Sequence, residues 1–405
     1  ARARKLANAL LKLGLKPGDT IATFAWNDYR HLEIYYGVSC SGMICHTINP
    51  RLFPEQIEYI VNHGQDQWVF VDATIVPLLE GLQHTMPDVK GFVVMTDAAH
   101  MPDTKLRNVL CYEDLLAAES DEFEWPELDE NTPSALCYTS GTTGNPKGVM
   151  YTHRSTLLHC YASIAPDVFG LSIKDVALPM FHVNGWGLVY SAPMTGAKLV
   201  MPGPKMGDGE TLCNLINEEK VTVSAGVPTV WLALLNYLEK TKQTVESLNR
   251  LTVGGAACPF TIFDDFRRKH GVDVQQGWGM TEMNPLGTFN GIVAPEVAAL
   301  APEEYDKMRL KQGRPVFGVE MKIVDAENKE LPWDGESAGA VKVRGPWIIA
   351  EYYRYDGQTL DDDGWFETGD VACVDKYGYM KITDRVKDVI KSGGEWISSI
   401  ELENC

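Results

Sequence analysis

The chain is predicted to be α/β, with doubly wound, mostly parallel sheets over most of its length and a small antiparallel, barrel-like region after them. Three observations predict this. Helical periods alternate with short apolar runs from residue 6 onward, the pattern of β-α-β units. Small-residue turns at Gly254-Gly255 and at Gly277-Trp278-Gly279 follow two of those runs, where open α/β sheets place ligands. Beyond Gly313 the texture changes to short valine- and glycine-rich stretches such as 319–324 and 339–343.

The elements follow in order. The basic opening Ala1-Arg2-Ala3-Arg4-Lys5 superficially mimics a signal peptide, but Lys12 interrupts the apolar run and Gly14 with Lys16-Pro17-Gly18-Asp19 reads as a stop and turn. An amphipathic helix is expected there. Residues 20–24, 68–72 and 91–95 read as strands, and 30–43, 54–62 and 75–83 as helices. The acidic stretch 119–131, with Pro126, reads as a solvated connector. Residues 134–138 and 149–153 read as strands on either side of a glycine-rich loop. A second alternating block has strands at 175–179, 197–201, 221–224, 251–253 and 272–275, with helices at 210–219, 229–238 and 260–270. The expected divisions are 1–133, a first α/β subdomain; 134–312, a second carrying the loop; 313–384, the barrel-like region; and 385–405, the start of something further. No initiator Met is present and Cys405 ends the chain inside a patterned segment, so a fragment cut at both ends is expected.

Composition narrows the function. With 405 residues, 45% hydrophobic and 22% charged, the chain has an ordinary soluble composition and ample core. A net charge of -19 argues against nucleic acid or an anionic membrane as partner, so any anion site must be local. Nine scattered cysteines with no C-x-x-C pair predict reduced thiols and a cytoplasmic setting. No apolar run approaches the roughly 18 residues of a membrane span.

The loop is Tyr138-Thr139-Ser140-Gly141-Thr142-Thr143-Gly144-Asn145-Pro146-Lys147-Gly148. Its glycines let backbone N–H groups approach a ligand, its hydroxyls add donors, and Lys147 adds a point charge, a set suited to polyphosphate. It fits neither the Walker pattern, since Pro146 and Gly148 flank the lysine, nor a kinase glycine loop. The alternative is a flexible surface loop. Gly277-x-Gly279-x-x-Glu282 is a near miss for a dinucleotide fingerprint, its third glycine replaced by glutamate.

This run resembles the phosphate-binding signature of the adenylate-forming (AMP-binding) enzymes, which include acyl-CoA synthetases, luciferases and peptide-synthetase adenylation domains. The resemblance extends over nearly the whole chain. It implies that Thr139 to Gly144 and Lys147 hold the phosphates of ATP, and that Gly254, Gly255 and Ala256 form the adenine wall. It also implies that Gly277, Trp278, Gly279, Met280 and Thr281 line the nucleotide, with Thr281 on the α-phosphate and Glu282 helping to hold Mg²⁺. A hard carboxylate suits Mg²⁺, which takes one or two carboxylates plus phosphate oxygens. Pro179-Met180-Phe181-His182-Val183-Asn184-Gly185-Trp186 resembles the segment lining the carboxylate channel, with His182 and Trp186 as gate and wall and Asn184, Gly185 and Gly279 beside them. A structural histidine is the alternative for His182. Amino-acid-activating members commonly carry an aspartate where this chain has His182, and an unpaired buried ammonium is costly, so an amino-acid substrate is not expected. By the same resemblance Asp370 binds the ribose hydroxyls, Arg385 binds ribose or phosphate, and Lys387 is the hinge. The family's second catalytic lysine belongs to a small C-terminal lid domain that begins near Lys391 and is expected to be truncated here.

The resemblance therefore implies an ATP-dependent acid–thiol ligase. A carboxylate attacks the α-phosphorus of Mg·ATP, and coenzyme A then takes the acyl group. Asn49-Pro50-Arg51-Leu52 and Phe181-His182 resemble the medium-chain fatty-acyl branch, which includes ligases of 3-methylmercaptopropionate. A luciferase-like or peptide-synthetase adenylation enzyme is the alternative within the fold, and a non-catalytic nucleotide-binding sensor the alternative outside it. Whether two copies associate as a homodimer is left open.

Overall fold

The structure, a computed structural model, describes residues 1–139, 144–178, 183–386, 390–392 and 395–397. The chain divides into two compact units, one of residues 1–157, 181–185 and 352–356, the other of residues 158–180, 186–351 and 357–405.

The first unit is built on a seven-stranded sheet of β1 (Thr20–Phe24), β2 (Ile44–Thr47), β3 (Asp66–Val71), β4 (Gly91–Val94), β5 (Val109–Cys111), β6 (Pro133–Tyr138) and β7 (Gly148–Thr152). Their order is β5-β4-β3-β1-β2-β6-β7, and every pairing is parallel except β6–β7. All five residues of β1 are buried, as a central strand covered on both faces must be. The helix Arg2–Lys12 buries Leu6, Ala7, Ala9 and Leu10, one stripe of a 3.6-residue period. Asp28 caps the helix Tyr29–Ser39 by accepting from the His31 N–H, and Pro54 opens the helix Pro54–Gly64 at a position where its missing N–H costs nothing. Ile57, Ile60 and Val61 of that helix pack in one core with Phe24, Val69, Val71 and Phe92. The short strands β2 and β5 and the helix His153–Ser163 go beyond the sequence expectations.

The second unit holds a seven-stranded sheet of β8 (Val176–Leu178), β9 (Lys198–Leu199), β10 (Val223–Gly226), β11 (Arg250–Val253), β12 (Asp273–Gly279), β13 (Leu286–Asn290) and β14 (Arg314–Pro315), in the order β14-β13-β12-β11-β10-β8-β9. It is parallel from β9 to β12 and antiparallel from β12 to β14. Here one expectation is corrected. Gly277, Trp278 and Gly279 are not a turn but the last residues of β12, opposite Phe289, Thr288 and Leu286 of β13.

The same unit carries β15 (Glu320–Val324), β16 (Gly339–Arg344), β17 (Phe366–Val374) and β18 (Met380–Arg385), an antiparallel sheet in that order. β15 and β18 are its edges, so the expected barrel-like region is an open sheet; four short strands are too few to close. A two-stranded pair follows, β19 (Ile390–Ser392) with β20 (Glu395–Ile397). Among the described residues no helix is long and apolar enough to cross a membrane, and the eight described cysteines are free.

Candidate nucleotide and acyl site

In the first unit the glycine-rich loop hangs from the β6–β7 pair. Tyr138 lies opposite Gly148 at the open end of the ladder, and the Thr139 N–H donates to the Lys147 carbonyl at 2.9 Å. The Lys147 N–H returns to Thr139 Oγ1 at 3.2 Å, so the stem is closed on both sides. Gly144 has φ +83°, a conformation that L side chains rarely adopt. Ser140, Gly141, Thr142 and Thr143 lie outside the described residues. The Lys147 ammonium stands over two rings that sequence reasoning did not connect with it, those of Tyr352 and Tyr355.

In the second unit the other candidate residues gather at the C-terminal ends of β11 and β12. Gly254 closes β11 by donating to the Gly226 carbonyl at 3.1 Å, and Gly255 and Ala256 follow as an exposed turn. A Cβ on Gly254 would meet Trp186 Cη2 at 2.8 Å and the Gly277 carbonyl at 3.0 Å. The tryptophan expected to line the acyl channel and the glycine expected to line the adenine therefore touch. Trp186 itself has φ +56° and ends the short helix Val183–Trp186, whose Asn184 and Gly185 are described in backbone. His182 lies outside the described residues, as does Lys387.

Gly279 lets β13 approach: a Cβ there would lie 1.9 Å from the Pro285 carbonyl oxygen, which accepts the Met280 N–H at 2.9 Å. This crossing turns the chain into the short 3₁₀ helix Thr281–Met283. Glu282 is buried in it, and its carbonyl accepts from the Ile349 N–H at 2.8 Å.

Asp370 and Arg385 face each other across β17 and β18, Arg385 Nη1 to Asp370 Oδ1 at 2.8 Å. The second carboxylate oxygen, Oδ2, accepts from Trp278 Nε1 at 3.0 Å. Burial pushes the Asp370 carboxyl above its ordinary value, while Arg385 and the indole N–H pull the other way. Each oxygen thus has one fixed donor and a further lone pair, which leaves room for a pair of vicinal hydroxyls. The tie from Trp278 to Asp370 was invisible in the sequence, where the two residues belong to separate motifs.

Sequence reasoning also passed over His159. It is buried, its Nε2 has no hydrogen-bond partner, and burial pushes its pKa down to about 3. A Cβ on Gly187, next to Trp186, would meet its ring at 2.7 Å. No signal short of the fold marks it, since one histidine on a helix has no partner in sequence.

Thr139, Gly144 and Lys147 therefore belong to a loop stem in one unit; in the other, Trp186 meets Gly254 at the end of β11, Gly277 to Glu282 lie at and beyond the end of β12, and Trp278 ties that end to Asp370 and Arg385 of the antiparallel sheet.

Comparison with known proteins shows the family and the fold. Residues 1–353 match the family described as AMP-binding enzyme. A 3-methylmercaptopropionyl-CoA ligase of Ruegeria lacuscaerulensis is 52% identical over 407 residues, covering 100% of this chain and 75% of its own. A medium-chain-fatty-acid–CoA ligase of Ectopseudomonas oleovorans is 51% identical, covering 100% of this chain and 74% of its own. A crystal structure of the anthranilate CoA ligase AuaEII with anthranoyl-AMP superposes with a TM-score of 0.85 at 25% identity, over 99% of this chain and 75% of that one. A family match over most of the chain, joined to relatives that match the whole of it at about half identity, leaves one assignment: the chain belongs to the AMP-binding enzymes.

Proposed function

We propose that this protein is an ATP-dependent acyl-CoA synthetase for small or medium-chain aliphatic acids, 3-methylmercaptopropionate among them. The observation that carries the reading is the contact of Trp186 with Gly254: the surface assigned to the acyl group abuts the turn assigned to adenine. An acid carboxylate lying along Trp186 would then face the α-phosphate of a nucleotide whose base lies at Gly254. The relatives named for 3-methylmercaptopropionate and for medium-chain fatty acids support the substrate class.

In this reading the acid's oxygen attacks the α-phosphorus, pyrophosphate leaves, and the coenzyme A sulfur then attacks the acyl carbon to displace AMP. Such a step needs charge neutralisation more than a general base. Lys147 and the loop N–H groups would hold phosphate oxygens, and Asp370 would accept the ribose hydroxyls. Arg385 holds the Asp370 carboxylate in place. Among the described residues no three His, Cys, Asp or Glu side chains cluster to hold a metal unaided. A single buried carboxylate, Glu282, suits a Mg²⁺ ion that arrives with the nucleotide and keeps phosphate oxygens as ligands. Bound there, the ion would neutralise phosphate charge.

Pyrophosphate exchange and thioester formation by the full-length protein, run over a panel of acids, test this. Aliphatic acids should be preferred, gaining about 0.8 kcal/mol per buried methylene until the pocket is full. Trp186→Ala should shift preference toward bulkier acids. A best substrate among glycine, alanine and phenylalanine, or adenylation without any thioester, would overturn the assignment.

A further inference from the structure

We infer that Tyr352 and Tyr355 are positioning residues for Lys147, forming a two-ring cage that holds its ammonium at the foot of the phosphate loop. The inference rests on the nucleotide reading above and deepens it. Lys147 Nζ lies 4.6 Å from the centroid of Tyr352 and 4.3 Å from that of Tyr355, both within the range of cation–π attraction. The two rings stand 5.6 Å apart at 81° to each other, so they meet one cation from two directions.

Tyr355 is an exposed side chain and Tyr352 half-buried, but the strap that carries them is tied down at several points. Residues 352–356 come from far along the chain yet pack as part of the first unit. The Tyr353 N–H donates to the Gly148 carbonyl at 2.8 Å, an antiparallel bridge that ties this strap to the residue after Lys147. Arg354 has φ +50°, and its guanidinium donates to Gln65 Oε1. The ring of Tyr353 meets His63 edge-on at 5.7 Å, and His63 Nδ1 is bonded to the Tyr138 hydroxyl at 2.7 Å. Tyr138 immediately precedes Thr139, so strap, helix Pro54–Gly64 and loop stem are one connected assembly.

A lysine has four rotatable bonds and a correspondingly high rotamer entropy. Confined by two rings, its ammonium already occupies the base of the loop before a polyphosphate arrives, and less freedom is lost on binding. On this inference the effect of the rings on nucleotide binding runs through Lys147.

Mg·ATP affinity of the full-length protein, measured by isothermal titration with melting temperature as a fold check, tests this. Tyr352→Leu or Tyr355→Leu should each weaken binding about two- to fivefold, the scale of one cation–π contact. Phenylalanine at either position should restore it, because the ring and not the hydroxyl holds the cation. In a Lys147→Ala background the leucine substitutions should add no further loss. Equal losses with and without Lys147, phenylalanine as damaging as leucine, or tighter binding after ring removal would each overturn the inference. If the unaltered protein fails to bind Mg·ATP, the nucleotide reading falls and the cage with it; intact binding indifferent to the rings removes the cage alone.

Discussion

Gly254→Ala puts the contact between the proposed acyl wall, Trp186, and the proposed adenine turn to the sharpest test. The added methyl would lie 2.8 Å from Trp186 Cη2 and 3.0 Å from the Gly277 carbonyl oxygen. Carbon atoms settle at about 3.5–4.0 Å, so the indole must retreat by about 1 Å, because the strand carbonyl cannot. Overpacking of this kind costs about 1–3 kcal/mol. Expressed on the free protein, that lowers Tm by roughly 2–4 °C per kcal/mol in domains of 150–250 residues. Expressed on the acid-bound state, it raises KM for the acid by about 5-fold to about 150-fold. Pyrophosphate exchange at varied acid and ATP concentrations, with melting curves alongside, separates the two. Adding Trp186→Ala removes the yielding partner, so the double variant should lose less than the sum of the singles, by about 0.5–3 kcal/mol. Strictly additive losses, or a Gly254→Ala protein with unchanged Tm and unchanged acid KM, would refute the reasoning.

Two further outcomes are expected. Gly279→Ala should be far worse than Gly254→Ala, because its Cβ would sit 1.9 Å from a backbone oxygen with no side chain able to move; soluble protein with a native melting curve would contradict this. Nucleotide affinity should fall with acidification if, as proposed, the ionised Asp370 carboxylate is the form that accepts the ribose hydroxyls. Its pKa is raised, so the fall begins at higher pH than for an exposed aspartate near 3.9. Arg385 lowers that pKa, so Arg385→Met should move the fall higher still. The sign for stability is opposite: the folded chain holds this proton more tightly than the unfolded one, so the stabilising contribution weakens as pH rises from the unfolded to the folded pKa. AMP titrations across about pH 4–8 check the first statement, and a fall confined to the ordinary aspartate range near 3.9 would contradict it.

Where local chemistry is strong, sequence and structure agree to the residue. The strand Thr20–Phe24 is buried throughout and central, and the helix Phe260–His270 runs from Pro259 to Gly271, whose φ is +68°. Short strands were missed because their signal is short. Ile44–Thr47 and Val109–Cys111 are too brief for a period to show, and they exist because a neighbouring strand supplies their hydrogen bonds. Gly277 to Gly279 read as a turn because glycine and propensity say so; close approach of β13 makes it strand.

The sequence by itself determined the chemistry available to this protein. The glycine-rich loop with Lys147 and the strand-end turn at Gly254 could be named from residue type and spacing, and Glu282, Asp370 and Arg385 from the resemblance of their motifs to those of the adenylate-forming enzymes. Only the tertiary structure decided which of them meet. Trp186 against Gly254, Trp278 on Asp370, and two tyrosines around Lys147 are contacts between residues far apart in the chain. Periodicity records how a residue relates to its near neighbours along the backbone, whereas such contacts depend on where whole sheets and straps pack, and that is set by the sum of many buried surfaces rather than by any local run.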